Sequence, residues 1–267
     1  MNRLLPLLVA ALLAAVTAPA QDWAKARLEK SPRHQEWITV KQGTRDVHCF
    51  VVFPEVKEKA TVMVVIHENR GLTDWVRSAA DQVAEAGCIA VAVDLLSGAG
   101  PNGGKTSDFA SADDAGKAIY ALKQEQVTAD LNAVVDYAAK IPAGNGKVVV
   151  GGFCWGGGQT FRLATNSKEI KAALSFYGPM PDKEEDIARI TAPVYGFYGG
   201  NDARINALIP KTTDLMKKAG KTYEPVTYDG AGHGFMRAGE DPADKSADNK
   251  KARDEAWKRV KAILKKI

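Results

Sequence analysis

A cysteine on a glycine-framed turn carries the clearest chemistry in this chain. Gly152-Phe153-Cys154-Trp155-Gly156 follows the apolar run Val148-Val149-Val150. The string is the strand–turn–helix nucleophile pattern G-x-S-x-G with a thiol where the hydroxyl would be. Small residues two before and two after the nucleophile let a strand and a helix meet at a sharp turn. The N-terminus of that helix then favours a thiolate and the anions formed from it. A buried cysteine beside a glycine-rich turn would leave the same string, so the motif needs partners. Asp202 ends Tyr198-Gly199-Gly200-Asn201-Asp202, just past the apolar run Val194 to Phe197. His233 sits in Gly230-Ala231-Gly232-His233-Gly234-Phe235, past the run Tyr223 to Tyr228. Singly these read as a turn aspartate and a surface histidine. In the order nucleophile, acid, histidine, each just beyond a strand, they read as a triad in which His233 moves protons and Asp202 orients it.

Three such residues meet only if the segments before them are parallel strands of one sheet, whose C-terminal ends share an edge. The pattern supplies eight strand-like runs: Trp37–Val40, Val47–Phe53, Thr61–Ile66, Cys88–Val93, Lys147–Val150, Ala172–Phe176, Val194–Phe197 and Tyr223–Tyr228. Several are continuous apolar runs, as strands buried on both faces require. Helical spacing of apolar residues predicts helices over Asp74–Glu85, Ala110–Leu122, Val127–Ala139, after Cys154, over Ile205–Ala219 and over Lys250–Ile267. Strands alternating with helices point to a mostly parallel α/β sheet covered on both faces. With no repeat or linker visible, residues 21–267 read as one domain.

Other motif-like strings fail on context. Gly98-x-Gly100-x-x-Gly103 matches a dinucleotide fingerprint, but it lies in a loop with Pro101 inside it and opens no helix. Gly104-Lys105-Thr106 lacks the first glycine of a phosphate loop. His67-Glu68 begins like a zinc-protease motif, yet the second histidine position is Gly71. No metal site is expected. The formal net charge of +4, spread through 36 basic and 32 acidic residues, lacks the clustered basic face of a nucleic-acid binder.

The first twenty residues have the layout of a secretory signal peptide: Met1-Asn2-Arg3, an apolar run from Leu4 to Val16, and Ala18-Pro19-Ala20 before Gln21. The run is too short for a membrane span, so an exported protein, periplasmic or secreted, with no membrane insertion after signal removal is expected. Of the three cysteines, Cys49 and Cys88 fall on the second and fourth strands. An oxidising compartment makes a disulfide between them worth testing.

The sequence resembles the dienelactone hydrolase family, a branch of the α/β-hydrolases, from Trp37 to Ile267. Four stretches carry the likeness: His67-Glu68-Asn69-Arg70-Gly71, Gly152 to Gly157, Gly199 to Asp202, and Gly232 to Arg237. The resemblance implies an α/β-hydrolase fold and hydrolysis of an ester or lactone, such as 4-carboxymethylenebut-2-en-4-olide, with no cofactor. It implies Cys154 as nucleophile, His233 as general base and acid, Asp202 as its orienting residue, and Glu68 as a carboxylate near the sulfur. The backbone N–H groups of Trp155 and Asn69 would form the oxyanion hole, and Arg237 would bind a substrate carboxylate. A second carboxylate-binding arginine is missing from the helical region before the fifth strand, where Lys105, Lys117 and Lys123 are the cations at hand. Glu68 is expected to disfavour the thiolate until an arriving anion, drawn by Arg237, displaces it; a simple pairing with Arg70 is the alternative. The partner is thus a small-molecule ester or lactone, anionic if Arg237 serves recognition. A general thiol esterase or acyl hydrolase of an envelope substrate, a thiol peptidase, and a non-catalytic binding protein on the same scaffold stay open.

Overall fold

A computed structural model describes residues 21–267; the expected signal peptide, residues 1–20, lies outside the described residues. All eight expected strands are present: β1 (Gln35–Gln42), β2 (Arg45–Val52), β3 (Ala60–Ile66), β4 (Ile89–Val93), β5 (Gly144–Phe153), β6 (Ile170–Phe176), β7 (Val194–Gly199) and β8 (Tyr223–Tyr228). They form one sheet in the order β1-β2-β4-β3-β5-β6-β7-β8. Only β2 runs against its neighbours, while β4, β3 and β5 through β8 are parallel. Every residue of β3 and β4 is buried, which accounts for their unbroken apolar sequence.

The helices are α1 (Asp22–Glu29), α2 (Asp74–Glu85), α3 (Ala112–Ala121), α4 (Gln124–Ala138), α5 (Trp155–Ala164), α6 (Glu184–Ala188), α7 (Ala203–Asn206), α8 (Ile209–Lys218), α9 (Phe235–Ala238) and α10 (Ala247–Leu264). Apolar residues of α3, α4, α5 and α8 cover one face of the sheet with Val62, Val64, Val148 and Val150. Those of α1, α2 and α10 cover the other with Met63, Val65, Val149 and Leu174. The alternation of strand residues between the two layers follows from the two-residue repeat of a strand.

Helix α1 was not anticipated, because its sequence is charged and only Ala24 and Leu28 are buried. Tertiary contacts hold it: Arg27 pairs with Glu85. Just after it, Arg33 grips the fully buried Asp81 of α2 through both carboxylate oxygens, at 2.9 and 2.7 Å. The single helix expected over Ile205–Ala219 is broken into α7 and α8, with Pro210 in the first turn of the second. Among the described residues no helix is long and apolar enough to cross a membrane.

The disulfide that Cys49 and Cys88 left open in the sequence does not form. Strands β2 and β4 are neighbours, but Cys49 stands opposite Val93, and Cys88 precedes that residue by five positions, roughly 16 Å at strand spacing. A bridge needs Cα atoms within about 7 Å. The two thiols also lie on opposite faces of the sheet, and both are free and buried. Burial pushes the Cys88 thiol up to about 11 and raises that of Cys49 as well, so both are unreactive.

Candidate active site

The turn that carries Cys154 is built by close backbone approach. Cys154 stands between β5 and α5 at φ 56°, ψ −117°, a region in which a side chain is strained. A Cβ on Gly152 would come within 2.3 Å of the Gly156 carbonyl oxygen, and one on Gly156 within 2.3 Å of the His67 carbonyl oxygen. Both glycines are therefore required for α5 to start where β5 ends and to lean on the end of β3. Cys154 is partly exposed, unlike the other two cysteines.

The acid and histidine loops are tied to each other before they reach the sulfur. Asn201 donates from its backbone N–H to the Ala231 carbonyl and from Nδ2 to the Gly230 carbonyl, each at 2.9 Å. Asn249 of α10 accepts the Gly232 N–H at 2.9 Å. On this frame His233 Nδ1 donates to Asp202 Oδ2 at 2.5 Å, and Nε2 lies 3.2 Å from Cys154 Sγ. Asp202 is 7% exposed, and its other oxygen accepts the Ile205 N–H at the start of α7. The imidazole is held well above its usual range, to about 9. The contact with the Cys154 sulfur raises it most, Asp202 adds to the effect, and partial burial opposes both.

Ile66 of β3 stands beside Gly152 of β5 in parallel register. Asn69 and Trp155 lie three positions beyond these two residues, past the C-terminal ends of the same neighbouring strands. Neither backbone N–H donates a hydrogen bond among the described residues, so both are available to an oxygen anion. His67, fully buried, fixes this corner. Its Nδ1 donates to the Glu68 carbonyl at 2.8 Å, its Nε2 accepts the Leu95 N–H at 3.2 Å, and its ring stacks on Trp155 at 5.5 Å. Burial lowers its pKa and keeps it neutral. Sequence reading gave His67 no role beyond a failed zinc motif.

Glu68, 8% exposed, accepts a hydrogen bond from Arg237 Nε at 2.9 Å. Its partner is thus Arg237 rather than Arg70, and the sulfur's partner in this state is His233 rather than the carboxylate. Of the three candidate lysines, Lys117 of α3 lines an open groove of about 740 Å³ with Asn69, Arg70 and Tyr120. Lys105 lines a different cleft, with Arg77 and Thr106, and Lys123 precedes α4.

Tyr177 went unnoticed in the sequence, and a one-residue backbone conformation leaves no signal there. It follows β6 at φ 39°, fully buried, with its ring edge-on to His233 at 5.1 Å and to Phe235 at 5.4 Å. Its hydroxyl is enclosed without a hydrogen-bond partner. Leaving such a group unpaired costs about 1–3 kcal/mol. Tyr177→Phe is therefore expected to raise the melting temperature by roughly 2 °C or more, at 2–4 °C per kcal/mol for a chain of this size. Calorimetry showing a fall would mean that the hydroxyl has a partner in solution.

The sheet order, the strained residue between strand and helix, and the loops that converge beyond β5, β7 and β8 define an α/β-hydrolase. The profile of the dienelactone hydrolase family matches residues 47–267. The chain belongs to that family, and so to the hydrolases of lactones and esters. A candidate carboxymethylenebutenolidase of Saccharolobus solfataricus is 29% identical over 253 residues, 83% of this chain and 94% of the relative. Among solved structures, a candidate dienelactone hydrolase of Klebsiella pneumoniae superposes with a TM-score of 0.75 at 22% identity, covering 88% of this chain and 99% of that one. A dienelactone hydrolase of Anabaena variabilis gives 0.62 at 18%, covering 85% and 96%.

Proposed function

We propose that Cys154, His233 and Asp202 form a thiol triad that hydrolyses a small ester or lactone bearing a carboxylate. The observation that carries this reading is the unbroken line from Asp202 Oδ2 through His233 to Cys154 Sγ, at 2.5 and 3.2 Å. The thiolate attacks the acyl carbon, and the carbonyl oxygen takes up charge facing the Asn69 and Trp155 N–H groups. The tetrahedral adduct collapses to a thioester as the imidazolium gives its proton to the leaving oxygen. In a lactone that oxygen stays tethered to the acyl group. Water, deprotonated by His233, then attacks the thioester; the carboxylic acid leaves and the thiolate–imidazolium pair is restored. A burst of p-nitrophenol from a p-nitrophenyl ester, abolished by iodoacetamide, tests the triad. Turnover that iodoacetamide leaves untouched would overturn it, and no turnover at all would favour a binding protein on this scaffold.

Recognition of the carboxylate falls to Arg237. Its guanidinium, which holds Glu68 through Nε, can exchange that carboxylate for the substrate's and meet it with two N–H donors. Arg70 and Lys117, which line the groove beside Asn69, supply further positive charge. Arg237→Lys keeps the charge but loses the fork geometry. It is expected to raise KM for a carboxylate-bearing lactone about tenfold, one hydrogen-bonded charge contact of 1.5–3 kcal/mol being at stake, and to leave KM for its methyl ester within about twofold. Equal rises for both would remove Arg237 from recognition.

Export is part of the same proposal, supported by the basic start, apolar run and Ala18-Pro19-Ala20 of the N-terminus. Sequencing of the mature protein is expected to begin at Gln21, and a retained Met1 in the cytoplasm would overturn it.

A further inference from the structure

A second cavity, of about 320 Å³, opens directly beside the nucleophile turn and has no part in the chemistry above. Trp155, Gln159 and Arg162 of α5 line one wall, and Pro179, Met180 and Pro181, just beyond β6, line the other. Residues 155, 159 and 162 fall on one face of a helix, so the cavity runs down α5 away from Cys154. Its walls are firmly placed. A Cβ on Gly158 would lie 2.7 Å from the Pro179 ring, and the Tyr223 hydroxyl donates to the Met180 sulfur at 3.6 Å.

Gln159 stands out within this lining. It is 7% exposed, and its Oε1 is enclosed with no hydrogen-bond partner. A buried amide with an unmet hydrogen bond costs stability, and because the Oε1 atom is closed off from the cavity, a ligand meets the carbonyl only once the amide turns. Rotation about its last side-chain bond presents either the NH₂ or the carbonyl to the same place, which suits a hydroxyl able both to donate and to accept. Five residues of helix separate it from Cys154, about 7.5 Å of rise.

We propose that this cavity is an acyl-arm subsite, taking an acyl chain about six atoms long whose terminal hydroxyl Gln159 recognises. The walls of Trp155, Pro179, Met180 and Pro181 receive the methylenes. None of the cavity's residues comes from the loops of His233 or Asp202. The leaving group must face His233 to be protonated, so the arm entering here belongs to the acyl side. The subsite rests on Cys154 being the nucleophile, and the experiment separates the two.

Three esters of p-nitrophenol are compared on the full chain: the acetate, the hexanoate and the 6-hydroxyhexanoate, whose hydroxyl lies six bonds from the carbonyl. The parent is expected to prefer the hydroxyhexanoate to the hexanoate by about tenfold or more in kcat/KM, as sites with a waiting hydrogen-bond partner do. In Gln159→Met, similar in length and free of the unpaired amide, that ratio is expected to fall to about one while the melting temperature holds or rises. Met180→Trp, which fills the cavity, is expected to lower both six-carbon esters relative to acetate by about tenfold. A ratio near one in the parent, or one unchanged in Gln159→Met, overturns the subsite while acetate turnover that iodoacetamide blocks leaves the nucleophile standing. Loss of iodoacetamide-sensitive turnover on all three esters overturns both.

Discussion

Cys154→Ala is expected to fold as the parent does and to lose hydrolysis down to the residue that an oxyanion site and binding alone sustain, within ~10³–10⁴ of the uncatalysed rate. The thiol sits at the margin of the core, where Ala keeps the Cβ: it is partly exposed, touches the core at its edge and meets His233. The strain at φ 56°, ψ −117° makes a second readout available. Ala keeps the Cβ and so keeps the strain, about 1–3 kcal/mol. Cys154→Gly removes it, at the cost of about 0.4–1 kcal/mol from the greater freedom of the unfolded chain. Strain relief is the larger effect, so the Gly variant should melt above the Ala variant while both are inactive. Turnover of either variant far above that residue would remove Cys154 from the role of nucleophile. A Gly variant that melts below the Ala variant would show that the turn is not strained in solution.

Asp202→Asn should cost about 10⁴ in kcat/KM with little change in structure. The buried carboxylate accepts the Nδ1 proton of His233 and so leaves Nε2 for the sulfur, whereas an amide can donate instead and favour the wrong tautomer. The pH profile carries the mechanism of that loss. His233 holds its proton to about 9, so the step that protonates the leaving oxygen is intact below that value. It should fall as pH rises through it, giving an alkaline limb near 9 in kcat/KM for a lactone or alkyl ester, whose leaving oxygen needs a proton. Asp202 is one of the groups raising the imidazole, after the sulfur contact. In Asp202→Asn the limb should therefore move to lower pH. A limb in the same place in parent and variant would mean that it belongs to another group.

What the sequence by itself determined was local and periodic. The unbroken apolar runs of β3 and β4 declare strands buried on both faces, because only such a strand has no solvent side to carry polar residues. Helix α2 is legible to the residue, since Trp75, Val76, Ala79, Ala80 and Val83 repeat at helical spacing before Gly87. The turn at Cys154 is legible because Gly152 and Gly156 have no room for any other residue. The order of cysteine, aspartate and histidine along the chain also survives folding.

What only the tertiary structure decided was every relation across strands. Register placed Cys49 opposite Val93 rather than near Cys88, and no one-dimensional pattern encodes that offset, because side chains two apart on a strand face the same way in any even shift. Register set Ile66 beside Gly152, and the loop that leaves β3 gave Glu68 to Arg237, 169 residues away. Helix α1 formed where propensity and pattern are weak, through the ion pairs of Arg27 with Asp81 and Glu85 of α2. The positive φ of Tyr177 and the unmet amide of Gln159 depend on what surrounds them in space. A sequence states which residue is present and at what spacing, but strain and an unpaired buried group exist only once neighbouring elements have closed around it.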